Sequence, residues 1–402
     1  MADALPIFSP AYAPRIVIGV TTSQTCLILR GRLRALRLAG FHITVVSSPG
    51  PLLDRLAMSE GAEVVAIPIE REISLISDLL SLFRFWRMLV RVKPDMVEFS
   101  TPKAGLLGLL AARLCGVPKR IYLLRGLKLE TAKGFKRRVL LAAERLASCC
   151  AHVVVCNSPS LREQAIGLGI APASKLVLLG GGSSNGVDRF RFAPGPTLMR
   201  QQLGIPLDAQ VIGFVGRLTR DKGVPELVEA FEHILAAVPT AYLLMVGWFD
   251  QSEDALTLAL RRKIENHPRI LVTGIVESTP AYYRAMDLLV LPSWREGFPN
   301  AVLEASATGI PVVTTMATGA RDSVVPEVTG LVISPGYPEA ITEAVLTLLA
   351  DPERRARMGG AARSWVLENF VDTQVLGLVV KFYQGLIDEN SSDRLQGSLI
   401  RS

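Results

Sequence analysis

Residues 295–305, REGFPNAVLEA, set two carboxylates, Glu296 and Glu304, around a bent and mostly apolar run. The residues before it, DLLVLPS, read as a buried strand, and those after it as a helix with Pro299 in the first turn, where a missing N–H costs nothing. Glu296 then lies in the loop at the strand's carboxyl end. Glu304 lies about a turn and a half into the helix, at ~1.5 Å per residue. Gly297 lets backbone approach a ligand, and the free N–H groups of a helix start bind an anion. Carboxylates so placed accept hydrogen bonds from pairs of hydroxyls, such as a sugar or a ribose supplies. The same spacing also suits a solvated loop acid followed by a helix-start carboxylate settled by the helix dipole.

A second junction of this kind is FVGRLTRDKGV, residues 214–224, with Gly216 and Gly223 as hinges and Arg217, Arg220 and Lys222 in the loop. Cations at a strand's carboxyl end beside a helix start suit a diphosphate, which arginine grips with two parallel hydrogen bonds. They also suit ordinary surface charge capping a loop. The spacing is neither a Walker P-loop nor the dinucleotide G-x-G-x-x-G.

The elements that must hold these loops repeat along the chain. RIVIGV, HITVVSS, EVVAIPI, DMVEFS, RIYLLRG and HVVVCNS are continuous apolar strands separated by stretches of helical period, including 24–39, 51–60 and about 73–93. After a proline-containing segment at about 190–208 the alternation resumes with QVIGFVG, AYLLMVG, RILVTGI, DLLVLPS, PVVTT and GLVISP. Such alternation indicates parallel sheets covered on both faces. The expected architecture is α/β, with two doubly wound domains in series facing a central cleft lined by strand carboxyl ends. The expected boundaries are 1–195, 196–375, and a C-terminal helix with a polar, disordered tail over 376–402.

At 402 residues, with 49% hydrophobic and 20% charged side chains, the chain is long enough for two cores. Its charge is uneven: residues 1–195 carry 26 Lys and Arg against 13 Asp and Glu, and the remainder 18 against 24. A basic half of net +13 fits an anionic membrane or a phosphorylated substrate. Nucleic acid fits poorly, since the cations are not interleaved with aromatics. No apolar run reaches the roughly 18–20 residues that span a bilayer, and the N-terminus lacks a secretory pattern. Five cysteines without a C-x-x-C pair point to free thiols in a reducing cytosol, and four histidines without ligand spacing give no reason to expect a metal.

The segments FVGRLTRDKGVPELVEAF, VGWFD, VTGIVESTPAYYRAMDLLVLPSWREGFPNAVLEASATGIPVVTT and TGLVISP together resemble the donor domain of family 4 retaining glycosyltransferases of the GT-B fold. FSTPKAGLLGLLAARLCGVPKRIYLLRG and NGVDRFRF resemble the acceptor domain of bacterial members that build lipid-linked surface polysaccharides. The resemblance spans about residues 15–385. It implies two Rossmann-like domains and transfer of a sugar from a nucleotide sugar, of UDP type, to an acceptor hydroxyl with retention at the anomeric carbon. It implies that Glu296 holds the donor sugar, with Gly297, Phe298 and Asn300 presenting backbone N–H groups. Glu304 would bind the ribose, Gly274 and Ile275 would border the base, and Gly216, Arg217 and Lys222 would surround the diphosphate. It implies no metal and no cofactor.

Three departures from the family pattern bear on the acceptor side. Where many relatives carry His-Gly after the fifth strand, this chain has Arg125-Gly126. Arginine cannot accept a proton at working pH, which leaves a phosphate or sugar contact, or a pairing with Glu130. In place of a glycine-rich loop after the first strand stand Thr21, Thr22 and Ser23, whose hydroxyls can meet a ligand. Before TPK the chain has EFS, which leaves Lys103 for an acceptor phosphate or as a plain surface lysine. The basic helices within LFRFWRMLVRVK and KGFKRRVLLAAERL suit an anionic membrane or a solvated face, so the expected location is cytoplasmic, peripheral to the plasma membrane. The oligomeric state stays open. A catalytically silent scaffold and a nucleotide-sugar epimerase are the rival readings.

Overall fold

The computed structural model describes residues 13–29, 31–70 and 74–388. The N-terminal segment and the polar tail lie outside the described residues. The chain forms two compact units, Met1–Asn185 with Thr373–Ser402, and Gly186–Asp372.

In the first unit seven strands, β1 (Arg15–Gly19), β2 (His42–Ser47), β3 (Glu63–Ala66), β4 (Met96–Ser100), β5 (Lys119–Leu124), β6 (Val153–Cys156) and β7 (Leu176–Leu178), form a sheet of order β3-β2-β1-β4-β5-β6-β7. Every pairing is parallel. Alternate strand residues feed opposite cores, as a side-chain period of two demands. Val17, Val97, Phe99, Tyr122 and Val154 pack on one face against the helices Leu75–Val92, Pro102–Leu114 and Gly134–Cys150. Ile16, Ile18, Met96, Ile121 and Leu123 pack on the other, under Arg32–Leu38, Pro51–Glu60 and the last helix, Asp372–Ile387.

The second unit repeats the design with β8 (Gln210–Val215), β9 (Ala241–Val246), β10 (Ile270–Val272), β11 (Leu288–Leu291), β12 (Val312–Thr315) and β13 (Gly330–Ile333), in the order β10-β9-β8-β11-β12-β13. Both sheets therefore grow outward in two directions from one central pair, β1/β4 in the first and β8/β11 in the second. At these switch points the crossovers depart to opposite sides, which opens a crevice at the strand carboxyl ends.

All twelve expected strands are present, and β7 is an addition. The helix expected over 24–39 is instead a 3-10 segment, Ser23–Leu29, followed by Arg32–Leu38, with Gly31 at φ 74° between them. The first unit ends at Asn185, ahead of the expected 195, because Val187, Phe192, Ile205 and Ala209 join the second core. The C-terminal helix is no separate element. Val379, Val380, Phe382 and Tyr383 bury it in the first unit, and Arg32 Nη2 donates to Tyr383 Oη at 2.7 Å while pairing with the buried Glu98.

Candidate active site

At the second switch point, β8 and β11 lie side by side and release their loops at the same edge. The chain leaves β8 through Gly216 and Arg217, makes a 3-10 turn, Arg220–Lys222, and enters the helix Val224–Ala237 through Gly223 at φ 71°. Any Cβ on Gly223 would strike the carbonyl of Pro292, so this glycine lets the two loops close on one another. Residues 292–299 then lead from β11 to the helix Asn300–Thr308, with Pro299 at its cap rather than inside its first turn.

This closure brings Lys222 to Glu296. Nζ lies 2.5 Å from Oε1, and the same oxygen accepts from Ser293 Oγ at 2.8 Å. Both side chains are mostly buried, at 18% and 11% exposure. Arg217 Nη1 donates to Asp250 at 2.7 Å, and its Nη2 lies 3.6 Å from Asp221, which Arg295 also grips at 2.6 Å. Burial works against the charged Arg217, but Asp221 and Asp250 outweigh it and hold its pKa above the ordinary value. For Asp221 burial pushes upward, yet Arg295, Lys222 and Arg217 together pull its carboxyl below the usual range. The cations expected to meet a diphosphate thus rest against acids, most of them supplied by loops of the same sheet edge.

Glu304 lies beyond the first turn of its helix and is half-buried. Tyr283, fully buried, donates its hydroxyl to Oε2 at 2.8 Å. Burial pushes the Glu304 carboxyl up to about 7, with Tyr283 and Arg191 offsetting part of the rise. Its place past the first turn sets it apart from a helix-start carboxylate, where the dipole acts most strongly.

The backbone amides divide. Glu296 N–H donates to the Thr318 carbonyl at 3.0 Å. Gly319, at φ 74°, brings its own backbone against the carbonyls of Glu296 and Gly297, so residues 317–319 form a floor under this loop. The Phe298 ring is buried against Phe370, with centroids 5.0 Å apart, and Asn300 begins the helix without a side-chain cap. Gly274, at φ 72°, and the exposed Ile275 follow the edge strand β10, two strands from β8.

The first-unit candidates gather at their own sheet. Thr21 follows β1 and meets Thr101, which follows β4, Oγ1 to Oγ1 at 2.5 Å. Thr22 bonds Thr25 at 3.0 Å, and Ser23 is buried. Lys103 pairs with Asp78 at 2.6 Å and is not a bare surface lysine. Arg125, after β5, donates from Nη1 to Ser184 Oγ at 2.7 Å, so its hydrogen-bond partner is Ser184 and not Glu130. Burial and the neighbouring Arg32 lower its pKa to about 9, against the pull of Glu98. Among the described residues no group of three or more His, Cys, Asp or Glu is placed to hold a metal ion.

Sequence reasoning missed Ser293, Tyr283, Asp221, Arg295 and Gly319. Asp221 and Gly319 carried a signal: one is an acid inside the cationic loop RLTRDKG, the other a glycine after a strand end in TTMATGA.

Two doubly wound parallel sheets, each with polar loops at its switch point, place the molecule among two-domain α/β proteins of the Rossmann type. Comparison with known proteins narrows this class. Residues 29–182 match a glycosyl transferase 4-like domain and residues 197–365 match glycosyl transferases group 1. The chain is 36% identical over 358 residues to the capsular polysaccharide biosynthesis glycosyltransferase CapM of Staphylococcus aureus, covering 89% of this chain and 93% of that protein. It is 30% identical over 318 residues to the UDP-Gal:alpha-D-GlcNAc-diphosphoundecaprenol alpha-1,3-galactosyltransferase of Escherichia coli, covering 77% and 81%. Among solved structures it resembles HepE of Anabaena in complex with UDP-glucose (TM-score 0.77, 19% identity, 92% and 99% covered). It also resembles sucrose-phosphate synthase of Thermosynechococcus elongatus (TM-score 0.78, 22% identity, 93% and 99% covered). The chain belongs to the family 4 type of glycosyltransferases, with the GT-B fold.

Proposed function

We propose that the protein moves a sugar from a UDP-sugar to a hydroxyl of a lipid-linked glycan, with retention at the anomeric carbon and without a metal ion, in surface polysaccharide synthesis. The observation that carries this reading is the junction of Lys222, Glu296 and Ser293 at the β8/β11 switch point. Donor binding exchanges partners there. The diphosphate takes Lys222 and Arg217, and Glu296, freed of its cation, accepts from hydroxyls of the sugar. Amides of Gly297 and Asn300 line the link between them, and Glu304 takes the ribose diol.

In the reaction the bond between the anomeric carbon and the distal phosphate oxygen breaks, and the acceptor oxygen bonds to the same face of that carbon. The acceptor proton passes to the departing phosphate oxygen. Charge grows on the diphosphate as it leaves, and Lys222 and Arg217 are aimed at that charge, which is electrostatic stabilisation of the transition state. On this reading Thr21, Thr22, Ser23, Lys103 and Arg125 belong to the acceptor. The names of the relatives support the donor and acceptor classes: one acts from UDP-Gal on a diphosphoundecaprenol-linked sugar, and another serves capsule synthesis.

The test is turnover with a panel of nucleotide sugars and a polyprenyl-diphosphate glycan, followed by anomeric assignment of the product by proton NMR. Transfer with the donor's anomeric configuration kept, lost in Lys222→Met, is expected. Hydrolysis alone, epimerised donor, or inverted product would overturn the reading.

A further inference from the structure

Three bulky side chains stand in solvent at the carboxyl edge of the second sheet. Trp294 lies in the loop after β11, Met316 follows β12 and Tyr337 lies in the loop after β13, and they are 41%, 52% and 60% exposed. These strands are neighbours in that order, so the three residues run along one half of the edge that carries the Lys222–Glu296 junction. The donor contacts proposed above use none of them.

Trp294 is not a loose surface ring. Its indole Nε1 donates to Glu226 Oε1 at 3.1 Å, and its backbone N–H donates to the Asp221 carbonyl at 2.9 Å. Gly336, at φ 85°, lets its loop come so close that any Cβ there would strike the six-membered ring of the indole. Both ends of the side chain are therefore fixed, yet much of it remains in water. A tryptophan that served only to fill a core would bury its ring, the large apolar part, along with its N–H.

Glu226 supplies a polar partner. It stands in the first turn of Val224–Ala237, and while Oε1 receives the indole, Oε2 is buried and meets no donor among the described residues. The helix start favours its charge but gives this oxygen no hydrogen bond. A buried acceptor left in that state costs free energy that a hydroxyl arriving beside the ring would recover. A flat apolar ligand would use the ring and leave the acid unmet. A pyranose uses both: its C–H groups lie on the indole, and a hydroxyl at its rim donates to the carboxylate.

We propose that Trp294 and Glu226, with Met316 and Tyr337 along the same edge, form a second pyranose subsite that takes a sugar of the acceptor glycan beyond the one that receives the transferred sugar. This rests on the transfer reading above, in which Glu296 holds the donor sugar, and deepens its acceptor side. Ser293, next to Trp294 in the chain, bonds Glu296, so the subsite and the donor contacts hang on one loop.

The experiment titrates the full chain, without nucleotide, with chitobiose, lactose and maltose, followed by tryptophan fluorescence and saturation-transfer NMR. Weak binding of at least one disaccharide, with a change in fluorescence, is expected. Trp294→Ala should weaken it by about tenfold, the factor that corresponds to roughly 50–60 Å² of ring withdrawn from water. Trp294→Phe should keep most of the affinity by NMR while losing the fluorescence change. Glu226→Ala should weaken binding about fivefold to tenfold, as expected for a lost hydrogen bond to a charged acceptor. In turnover, Trp294→Ala should raise KM for a polyprenyl-diphosphate disaccharide and leave KM for a polyprenyl-diphosphate monosaccharide unmoved.

Failure of all three disaccharides to bind overturns the subsite. So does loss of UDP affinity in step with disaccharide affinity in both Trp294 variants, which would make the ring a brace for its loop. A raised KM for the nucleotide sugar with none for the glycan gives the ring to the donor and overturns the assignment. A change of Trp294→Ala from dimer to monomer with unaltered disaccharide binding does the same in favour of a second copy. The titration needs no turnover: a chain that binds disaccharide through Trp294 but transfers no sugar refutes the transfer reading, whereas transfer without such binding refutes the subsite alone.

Discussion

Replacing Glu304 by glutamine should flatten a pH dependence that the wild-type chain shows in donor binding. Burial pushes this carboxyl up to about 7, and the Tyr283 hydroxyl at 2.8 Å holds it partly back. A ribose diol donates two hydrogen bonds and so needs the ionised form. The fraction ionised falls about tenfold for each pH unit well below 7, so a nucleotide sugar should bind roughly tenfold more weakly at pH 6 than at pH 8, about 1.4 kcal/mol. Both phosphates of a nucleotide sugar are diesters and do not titrate in this window, which leaves the protein as the source. The assay is calorimetric titration of the responsive nucleotide sugar at pH 6, 7 and 8, in the wild type and in Glu304→Gln.

Stability of the unliganded chain should move the opposite way. Burial raises the folded carboxyl above its ordinary value of 4.5, so the folded state holds the extra proton between about 4.5 and about 7. Stability therefore falls as pH rises through that window and levels off above it. The full displacement corresponds to about 3 kcal/mol, and the half-buried carboxyl should realise about half of it. Glu304→Gln removes this slope, so the variant should melt higher than the wild type at pH 8 while binding donor less well. Wild-type affinity that is flat from pH 6 to pH 8, or parallel profiles in the two proteins, would refute the assignment of Glu304 to the ribose.

Lys222→Met should lower kcat by about 100- to 1,000-fold with a smaller change in KM, the size expected when a group aimed at developing charge is lost; steady-state kinetics in saturating acceptor checks it. Gly319→Ala forces a side chain onto the carbonyls of Glu296 and Gly297 at a positive φ, and should cost about 1–3 kcal/mol in urea unfolding together with a raised KM for donor. Chelation by EDTA should leave turnover unchanged, and a loss restored by magnesium would count against the charge-only account of the leaving group. Glu144, 4% exposed and bonded by Tyr122 at 2.6 Å, is pushed up to about 7 by burial, so Glu144→Gln should flatten a second stretch of the thermal stability profile between about pH 4.5 and 7.

What could be read from the sequence was what local pattern encodes. Runs such as IVIG and LLVL are continuously apolar because parallel strands are buried on both faces, and each appears in a strand where expected. β7, the three residues LVL, was not among the expected strands, although β10, equally short, was. The unit boundary escaped because Phe192 and Ile205 are single apolar anchors in a segment otherwise rich in proline and polar residues, and only the folded chain shows that both are buried. At the site, residue types and loop positions were legible, whereas the pairings were not. Lys222 and Glu296 are 74 residues apart, and Arg295 reaches Asp221 over the same distance, so their meeting depends on β8 lying beside β11. Glu304 was legible as a carboxylate, but its raised pKa comes from burial in the folded unit, which the Tyr283 hydroxyl offsets in part.

These pairings change how the site's charge should be understood. A loop with Arg217, Arg220 and Lys222 reads in sequence as an open cationic cradle that attracts a diphosphate from a distance. In the folded unit Arg217 is already compensated by Asp250 and Asp221, and Lys222 by Glu296. Compensation lets the unit keep these cations largely out of water without the several kcal/mol that an isolated buried charge would cost. On the proposed reading a diphosphate would displace acids as well as water, so part of its attraction would be spent on separating pairs. Arg217 and Lys222 then differ in consequence. Arg217 can keep Asp250 on one nitrogen while turning another to phosphate, because a guanidinium donates in several directions. Lys222 has a single charged nitrogen, and on the proposed reading its release would free Glu296 for the sugar. The ion pair at 2.5 Å would thereby couple the two halves of the proposed donor recognition, so Glu296→Gln should weaken selection among sugars more than it weakens binding of UDP itself.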